Sequence, residues 1–349
     1  MSDPKKSVQS VGSAPAQASP PLALAPWIED QLTTLSQRSG HAWLLQGPSG
    51  LGQYTLSLEL ARAWLCLSPV SHKACGNCSS CHLIDVKAHP DLLILMPEVQ
   101  MLELEWPLSE KAQKEIDDKD RKPSKEIRVE AVREMVEFSQ RTSSGLNPKI
   151  VLIYPAEKLN IFAANTLLKT LEEPPGDSRF IVASEAAHLL LPTIRSRCQS
   201  HTMMWPEQSF AIQWLMQEGL DENTASTLLK ASGGRPEDAL NFAAIGVDAQ
   251  LWNQIPRSLT KADSSVLESF SPKEVISIMQ KVCTDLIANY FQSETRYFSP
   301  GVLPKAQNIQ ALTQWFKDLS LAAKTSEHPY NAGLMLESLT VQASKALQS

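Results

Sequence analysis

The sequence predicts a parallel α/β domain followed by an all-α region. Between residues 27 and 205, short apolar runs typical of buried strands alternate with amphipathic helical patterns. Such alternation is the pattern of a parallel sheet with helices on both faces. After residue 205, only apolar residues at helical spacing remain. A chain of 349 residues, 43% of them hydrophobic, is long enough for two or three domains.

The first 26 residues are predicted to form a disordered tail. They are rich in Ser, Pro, Ala and Gln, and they lack the continuous apolar segment of a secretory signal. No later run reaches the roughly 18 apolar residues of a membrane span, so we expect a cytoplasmic protein without a membrane partner. The net charge of −6 gives no global basic footprint. Any contact with nucleic acid should therefore be local or be made by other subunits.

The elements of the α/β domain follow one another in a regular order. We expect strands at 42–45, 92–95, 150–153 and 180–183, and helices at 55–65, 127–138 and 161–171. Residues 98–125 interrupt this order with a dense run of charges. That composition favours a solvated insertion over a core element.

Two helical units are predicted after the α/β domain. Residues 206–246 carry three short helical patterns and are expected to form a small domain. Residues 247–349 carry longer amphipathic stripes, which predict a second helical domain. Stripes of this kind usually form a core, and the remaining helix faces can join neighbouring subunits.

A glycine-rich loop after the first strand resembles a phosphate-binding loop. Its glycines are Gly47, Gly50 and Gly52, and a predicted helix follows them. A working loop continues with a Lys that reaches the terminal phosphates and a Ser or Thr that holds Mg²⁺. Gln53 and Tyr54 stand at these two positions. Because neither side chain can do that chemistry, we expect weak or absent nucleotide binding and no ATP hydrolysis by this chain.

The end of the third predicted strand has lost a second part of an ATPase site. A P-loop ATPase places an acidic residue there to hold the metal and orient water. Tyr154 stands at that position, and Glu157 follows three residues later. We do not expect Glu157 to compensate for the changes at both places.

Four of the six cysteines are close together in the sequence of the α/β domain. Cys66, Cys75, Cys78 and Cys81 have the spacing C-x8-C-x2-C-x2-C. Four thiolates suit a closed, structural Zn²⁺ site, whereas a redox pair would leave two of the cysteines unexplained. A zinc-dependent redox or nucleic-acid module remains an alternative function. It is disfavoured because the chain is acidic and residues 66–91 lack interleaved basic and aromatic residues.

Two further segments carry a family resemblance. Residues 165–175 read Asn-Thr-Leu-Leu-Lys-Thr-Leu-Glu-Glu-Pro-Pro, and residues 193–198 read Thr-Ile-Arg-Ser-Arg-Cys. With the cysteines and the altered loop, these segments make the chain resemble the clamp-loader branch of the AAA+ ATPases. The likeness is greatest to a non-hydrolysing subunit of the bacterial DNA polymerase III clamp loader. It extends over about residues 27–349 and is most specific at 42–91 and 150–198.

The resemblance implies an architecture and a set of partners. The α/β domain would be an AAA+ domain with a zinc-binding insertion, residues 206–246 its lid, and residues 247–349 a collar domain for oligomerisation. The chain would join ATPase subunits of the gamma/tau type and a delta subunit in a hetero-oligomeric ring. That complex would open the sliding clamp and load it on primed DNA.

The resemblance also implies roles for two arginines. Arg197, in the Ser-Arg-Cys motif, would enter the ATP site of a neighbouring subunit as an arginine finger in trans. A guanidinium suits this task because it is permanently charged and presents a planar fork to phosphate oxygens. Arg235, in Gly-Gly-Arg-Pro, corresponds either to a second sensor arginine or only to a helix-start residue. The alternative within the family is a catalytically active motor subunit with an unusual P-loop.

Overall fold

The computed structural model describes residues 24–145, 147–305, 308–325 and 332–348. Most of the predicted tail, residues 1–23, lies outside the described residues. The last part of that segment belongs to the folded chain, because Ala25 is buried and the first helix begins at Pro26.

A five-stranded parallel sheet forms the centre of the N-terminal part. Its strands are β1 (Ala42–Gln46), β2 (Leu92–Leu95), β3 (Lys149–Ile153), β4 (Ser178–Ser184) and β5 (Gln199–Thr202). Their spatial order is β2-β3-β4-β1-β5, and every pairing is parallel. The sequence-based expectation of a parallel α/β sheet is confirmed.

Helices cover both faces of this sheet. They are α1 (Pro26–Ser36), α2 (Gln53–Leu65), α3 (Ser79–Asp85), α4 (Glu98–Glu103), α5 (Glu110–Asp117), α6 (Val129–Gln140), α7 (Ile161–Glu172) and α8 (Pro192–Arg195). Alternate residues of β1 belong to different cores. Trp43 and Leu45 pack with α1 and α2, whereas Ala42 and Leu44 pack with α6 and α7. This period of two is what a strand buried on both faces requires.

The charged segment 98–125 is more structured than its composition predicts. It contains helices α4 and α5, and Arg121 ties them together through hydrogen bonds of 2.7 Å to both Glu98 and Glu115. Trp106, between the two helices, is only 7% exposed and packs against the sheet. The expectation of a merely solvated insertion therefore missed one apolar anchor among many charges.

The remainder of the described chain is helical. It comprises α9 (Gln208–Gln217), α10 (Glu222–Ala231), α11 (Pro236–Ala244), α12 (Ala249–Thr260), α13 (Pro272–Tyr290), α14 (Ile309–Thr325) and α15 (Ala332–Gln348). One hydrophobic core runs through all seven helices. At its centre Trp252 stacks on Phe298, with ring centroids 4.8 Å apart, and Phe242 packs 5.4 Å from Trp252. Among the described residues, no helix has the length and apolar character needed to cross a membrane.

Candidate functional site

The glycine-rich loop lies between β1 and α2 and has the backbone of a phosphate-binding loop. Gly50 and Gly52 have φ angles of 77° and 90°, which lie in the left-handed region that favours glycine. Gly52 caps the N-terminus of α2. The glycines therefore lead directly into the N-terminus of a helix, the end that favours an anion.

Gln53 stabilises this loop from within. Its side chain is 1% exposed, and Nε2 donates hydrogen bonds to the carbonyl oxygens of Gly47 at 2.8 Å and Pro48 at 2.6 Å. A lysine at this position would point toward the phosphates, whereas this amide turns back onto the loop. The residue at the catalytic lysine position thus has a structural role.

The first turn of α11 lies directly on the loop. The backbone N–H of Glu237 donates to the Gly50 carbonyl oxygen at 3.2 Å, and Thr55 Oγ1 donates to Glu237 Oε1 at 3.2 Å. Ser49 Oγ donates to Asp238 Oδ2, also at 3.2 Å. A Cβ atom on Gly50 would lie 2.5 Å from Asp238 Cγ, so only glycine permits this approach. The chain's own carboxylates therefore occupy the anion-binding end of α2.

Two tyrosines occupy the positions of the missing metal ligands. Tyr54 and Tyr154 stack with their ring centroids 5.6 Å apart. Tyr54 accepts a hydrogen bond of 2.6 Å from Trp106 Nε1, and Tyr154 donates one of 2.6 Å to Glu185 Oε1. Burial and the nearby Glu185 charge raise the pKa of Tyr154. The two tyrosines are thus held in place by stacking and by hydrogen bonds to protein groups.

Negative charge accumulates around the loop. Burial raises the pKa of Glu237, and the charges of Asp238 and Glu185 raise it further. Burial likewise raises the pKa of Glu185, with added repulsion from Glu157 and Asp238. Glu157 itself accepts hydrogen bonds from Ser184 Oγ and the backbone of Glu185. This set of carboxylates makes the surroundings of the loop less favourable to an anion such as phosphate.

Arg235 precedes α11 and contacts the loop. Its side chain donates to Ser49 Oγ at 3.0 Å and to the Ser232 carbonyl oxygen at 2.7 Å, and it pairs with Asp238 at 2.9 Å. The sequence left open whether this residue is a sensor or a helix-start residue. It stands at the helix start and also reaches the P-loop, where an internal carboxylate, Asp238, holds its guanidinium.

The four clustered cysteines come together at the ends of two helices. Cys66 follows α2, Cys78 caps α3, and the four sulfur atoms all lie within 4.8 Å of one another. Cys78 Sγ lies 3.9 Å from Cys66 Sγ and 3.5 Å from Cys81 Sγ. A tetrahedral ion with bonds of about 2.3 Å separates its sulfurs by about 3.8 Å. The cluster could therefore hold a metal ion.

Hydrogen bonds around the cluster distinguish its members. Ser68 donates to the Cys75 sulfur and lowers the pKa of that thiol to about 6, whereas burial raises the pKa of Cys81 to about 12. His89 takes no part in the cluster, since its ring nitrogens contact Ser80 Oγ at 3.0 Å and the backbone N–H of Asp91 at 3.1 Å. Among the described residues, the candidate metal ligands of this cluster are therefore the four cysteine sulfurs alone.

Arg197 lies apart from these contacts, between α8 and β5. Its Nε and Nη2 atoms both donate to Glu172 Oε2, at 3.1 and 2.7 Å, and Nη1 donates to the Thr193 carbonyl oxygen at 3.1 Å. The Arg197 side chain is 30% exposed and that of Glu172 is 60% exposed. The guanidinium is therefore oriented at the surface by a carboxylate at the C-terminal end of α7.

Three contributors to the site were not found from the sequence. In the sequence, Glu237 and Asp238 are typical of the acidic first turn of any helix, and Trp106 lies in the segment that was predicted to be a charged insertion. Each contacts the loop or the first turn of α2 from more than fifty residues away in the sequence. No local pattern signals such contacts.

Comparison with known proteins gives a consistent family. Residues 29–205 match the family model described as DNA polymerase III, delta subunit. A protein of Pseudomonas aeruginosa named DNA polymerase III subunit delta' is 35% identical over 229 residues, which is 64% of this chain and 63% of the relative. One of the same name from Escherichia coli is 33% identical over 221 residues, or 62% of this chain and 59% of the relative. The alignments span less than two thirds of these relatives.

Solved structures resemble the chain more distantly. A DNA polymerase III gamma subunit-related protein of Thermotoga maritima aligns with 91% of this chain and 98% of its own, with a TM-score of 0.47 and 17% identity. The RuvB Holliday junction branch migration motor of the same organism aligns with 88% of this chain and 86% of its own, with a TM-score of 0.39 and 15% identity.

Proposed function

Because the chain belongs to the family of DNA polymerase III delta-prime subunits, we propose that it is a clamp-loader component without an ATPase site of its own. The observation that carries this proposal is the filled P-loop. Gln53 turns back onto the loop, and Glu237 and Asp238 lie against it from α11. The loop keeps its backbone conformation, but these residues lie where phosphate would bind, and the one guanidinium described at the loop, that of Arg235, is already paired with Asp238.

A motor subunit of the same family with an unusual P-loop is disfavoured by the same contacts. ATP bound to such a subunit would have to displace two carboxylates and break the ion pair between Arg235 and Asp238. It would also meet tyrosines where the metal ligands of a working site are expected. Residual affinity through loop N–H groups would have to overcome this repulsion.

The role proposed for Arg197 is to complete the ATP site of a neighbouring gamma/tau-type subunit. Its partial exposure and its single carboxylate partner, Glu172, support this role, because an exposed ion pair is worth little and can be exchanged for a phosphate contact. The ring would also contain a delta subunit and would open the sliding clamp and load it on primed DNA. Residues 206–246 would act as the lid, and residues 247–349 would join the collar of the ring.

The proposed cofactor is one structural Zn²⁺ bound by Cys66, Cys75, Cys78 and Cys81. The sulfur separations and the absence of a histidine from the set support it. The ion would fix the segment between α2 and α3 rather than act in catalysis. Metal analysis of the purified chain should find about one Zn²⁺ per chain, and a metal-free, fully folded preparation would exclude the site.

The assembled complex provides the test of the functional proposal. Arg197→Ala should leave the subunit folded and assembled while ATP turnover at the adjoining site falls by about 10³-fold, the contribution typical of an arginine finger. Arg195→Ala is the matched control, since Arg195 is an exposed arginine two positions away. Equal turnover in the two variants would remove the role in trans, and failure of the wild-type chain to assemble would refute the clamp-loader proposal.

A further inference from the structure

A cavity beside the P-loop, distinct from the nucleotide site, is lined by cations and aromatic rings. It has a volume of about 380 Å³ and lies where Pro48 of the loop, the start of α11, and helices α13 and α14 meet. Its cationic lining residues are Arg235, Lys281 and Arg296. Among the described residues, no Asp or Glu lines it. A cavity of this size and sign is suited to a small anion.

Lys281, on α13, is a buried ammonium without a counterion. It is 9% exposed, and Nζ donates one hydrogen bond of 2.9 Å to the carbonyl oxygen of Ala231. The rings of Phe242, Trp252 and Tyr297 surround it at 5.0 to 5.6 Å. In the part of the chain that the structure describes, no carboxylate forms an ion pair with it. An ammonium has three donors, and among the described residues only one of them has a hydrogen-bond acceptor.

The charges nearest to Lys281 do not neutralise the cavity. Arg235 is already paired with Asp238 at 2.9 Å. Asp285, one turn further along α13, accepts the backbone N–H groups of residues 296–298 at 2.7 to 2.8 Å. Arg296 is exposed, and its guanidinium lies 5.5 Å from the Tyr297 ring centroid. Lys281 and Arg296 thus leave the cavity with two uncompensated positive charges.

We propose that this cavity binds a mononucleotide, whose phosphate contacts Lys281 and Arg296 and whose base stacks on Trp205. Trp205 lines the cavity and is 49% exposed, so about half of its surface is accessible to a planar partner. A small ligand fits better than a nucleic-acid strand, because backbone phosphates of DNA contact exposed cations and Lys281 lies deep. Bound there, the ligand would contact the P-loop, α11 and the C-terminal helices together.

The test is calorimetric titration of the full chain with AMP in the presence of EDTA. We expect binding that weakens at least tenfold in Lys281→Met and in Arg296→Gln, because each removes a charge-assisted hydrogen bond. Lys273→Gln, an exposed lysine on the same helix, should bind like the wild type. Arg296 is exposed, so its variant keeps the test valid even where Lys281→Met does not fold.

Three outcomes would overturn the proposal. Absence of AMP binding at millimolar concentration removes the site, and equal affinity in all four proteins removes these residues from it. Ribose 5-phosphate binding as tightly as AMP removes the stacking on Trp205 and hence the nucleotide. A titration with Mg-ATP on Lys281→Met separates this site from the P-loop, because ATP binding that survives the substitution would count against the proposed function instead.

Discussion

The P-loop and the Arg197 region carry equally recognisable sequence patterns, yet they differ in what their side chains contact. Gln53 is 1% exposed, and the loop around it is filled by residues of the same chain. Arg197 is 30% exposed and is held by one surface carboxylate, Glu172. The first region is closed from within, whereas the second is oriented and accessible.

Under the proposed function, this difference would let the chain lose its own nucleotide site and still contribute Arg197 to the site of a neighbour. The P-loop backbone still positions α2 and α11, so it retains a structural use after the chemistry has been lost. An arginine that serves a neighbour needs only an oriented, exposed guanidinium. A family motif therefore predicts a fold reliably, but the contacts of its central residues decide the activity.

Gln53→Ala should have the largest effect on the closed region. The substitution removes a buried amide that donates to two carbonyl oxygens, those of Gly47 and Pro48, so we expect the free energy of unfolding to fall by about 1–3 kcal/mol. Urea denaturation measures it, with the exposed Gln113→Ala as control. A variant as stable as the wild type would mean that Gln53 does not brace the loop.

Glu237→Gln should have a smaller effect that depends on pH. Burial raises the pKa of Glu237 in the folded chain. Between the unfolded-state pKa of about 4.3 and the higher folded-state pKa, the folded chain therefore binds more protons than the unfolded chain. The free energy of unfolding falls as the pH rises through this range. The variant cannot titrate and should gain stability relative to the wild type between pH 4 and pH 7. Thermal unfolding measures the gain, and Glu222→Gln, in the first turn of α10, should show none. A gain independent of pH would refute the burial of charge at the loop.

Glu172→Gln should have the smallest effect, because it acts on the open region. An exposed pair contributes at most about 1 kcal/mol, and Arg197 keeps its hydrogen bond to the Thr193 carbonyl oxygen. We expect a change in stability within that limit and a change of less than about fivefold in ATP turnover by the assembled complex. A loss as large as that expected for Arg197→Ala would mean that Glu172 is itself essential to the site.

The sequence predicted those parts of the fold that local periodicity encodes. The strands β1 to β4 are continuous apolar runs and were found to within two residues, whereas β5 reads Gln-Ser-His-Thr and owes its conformation to pairing with β1. The spacing of the four cysteines predicted that their sulfur atoms would come together, because all four lie within one short segment, residues 66–81. The carboxylates on the P-loop could not be predicted, since Glu237 and Asp238 reach it only through the packing of α11.

The most direct test of the central claim is a calorimetric titration of the isolated chain with Mg-ATP. The filled P-loop should give no binding at this loop up to millimolar concentration, so any binding of Mg-ATP should weaken at least tenfold in Lys281→Met, which alters the neighbouring cavity and leaves the loop unchanged. Micromolar binding that persists in that variant, accompanied by ATP hydrolysis, would contradict the account and make the chain a motor subunit.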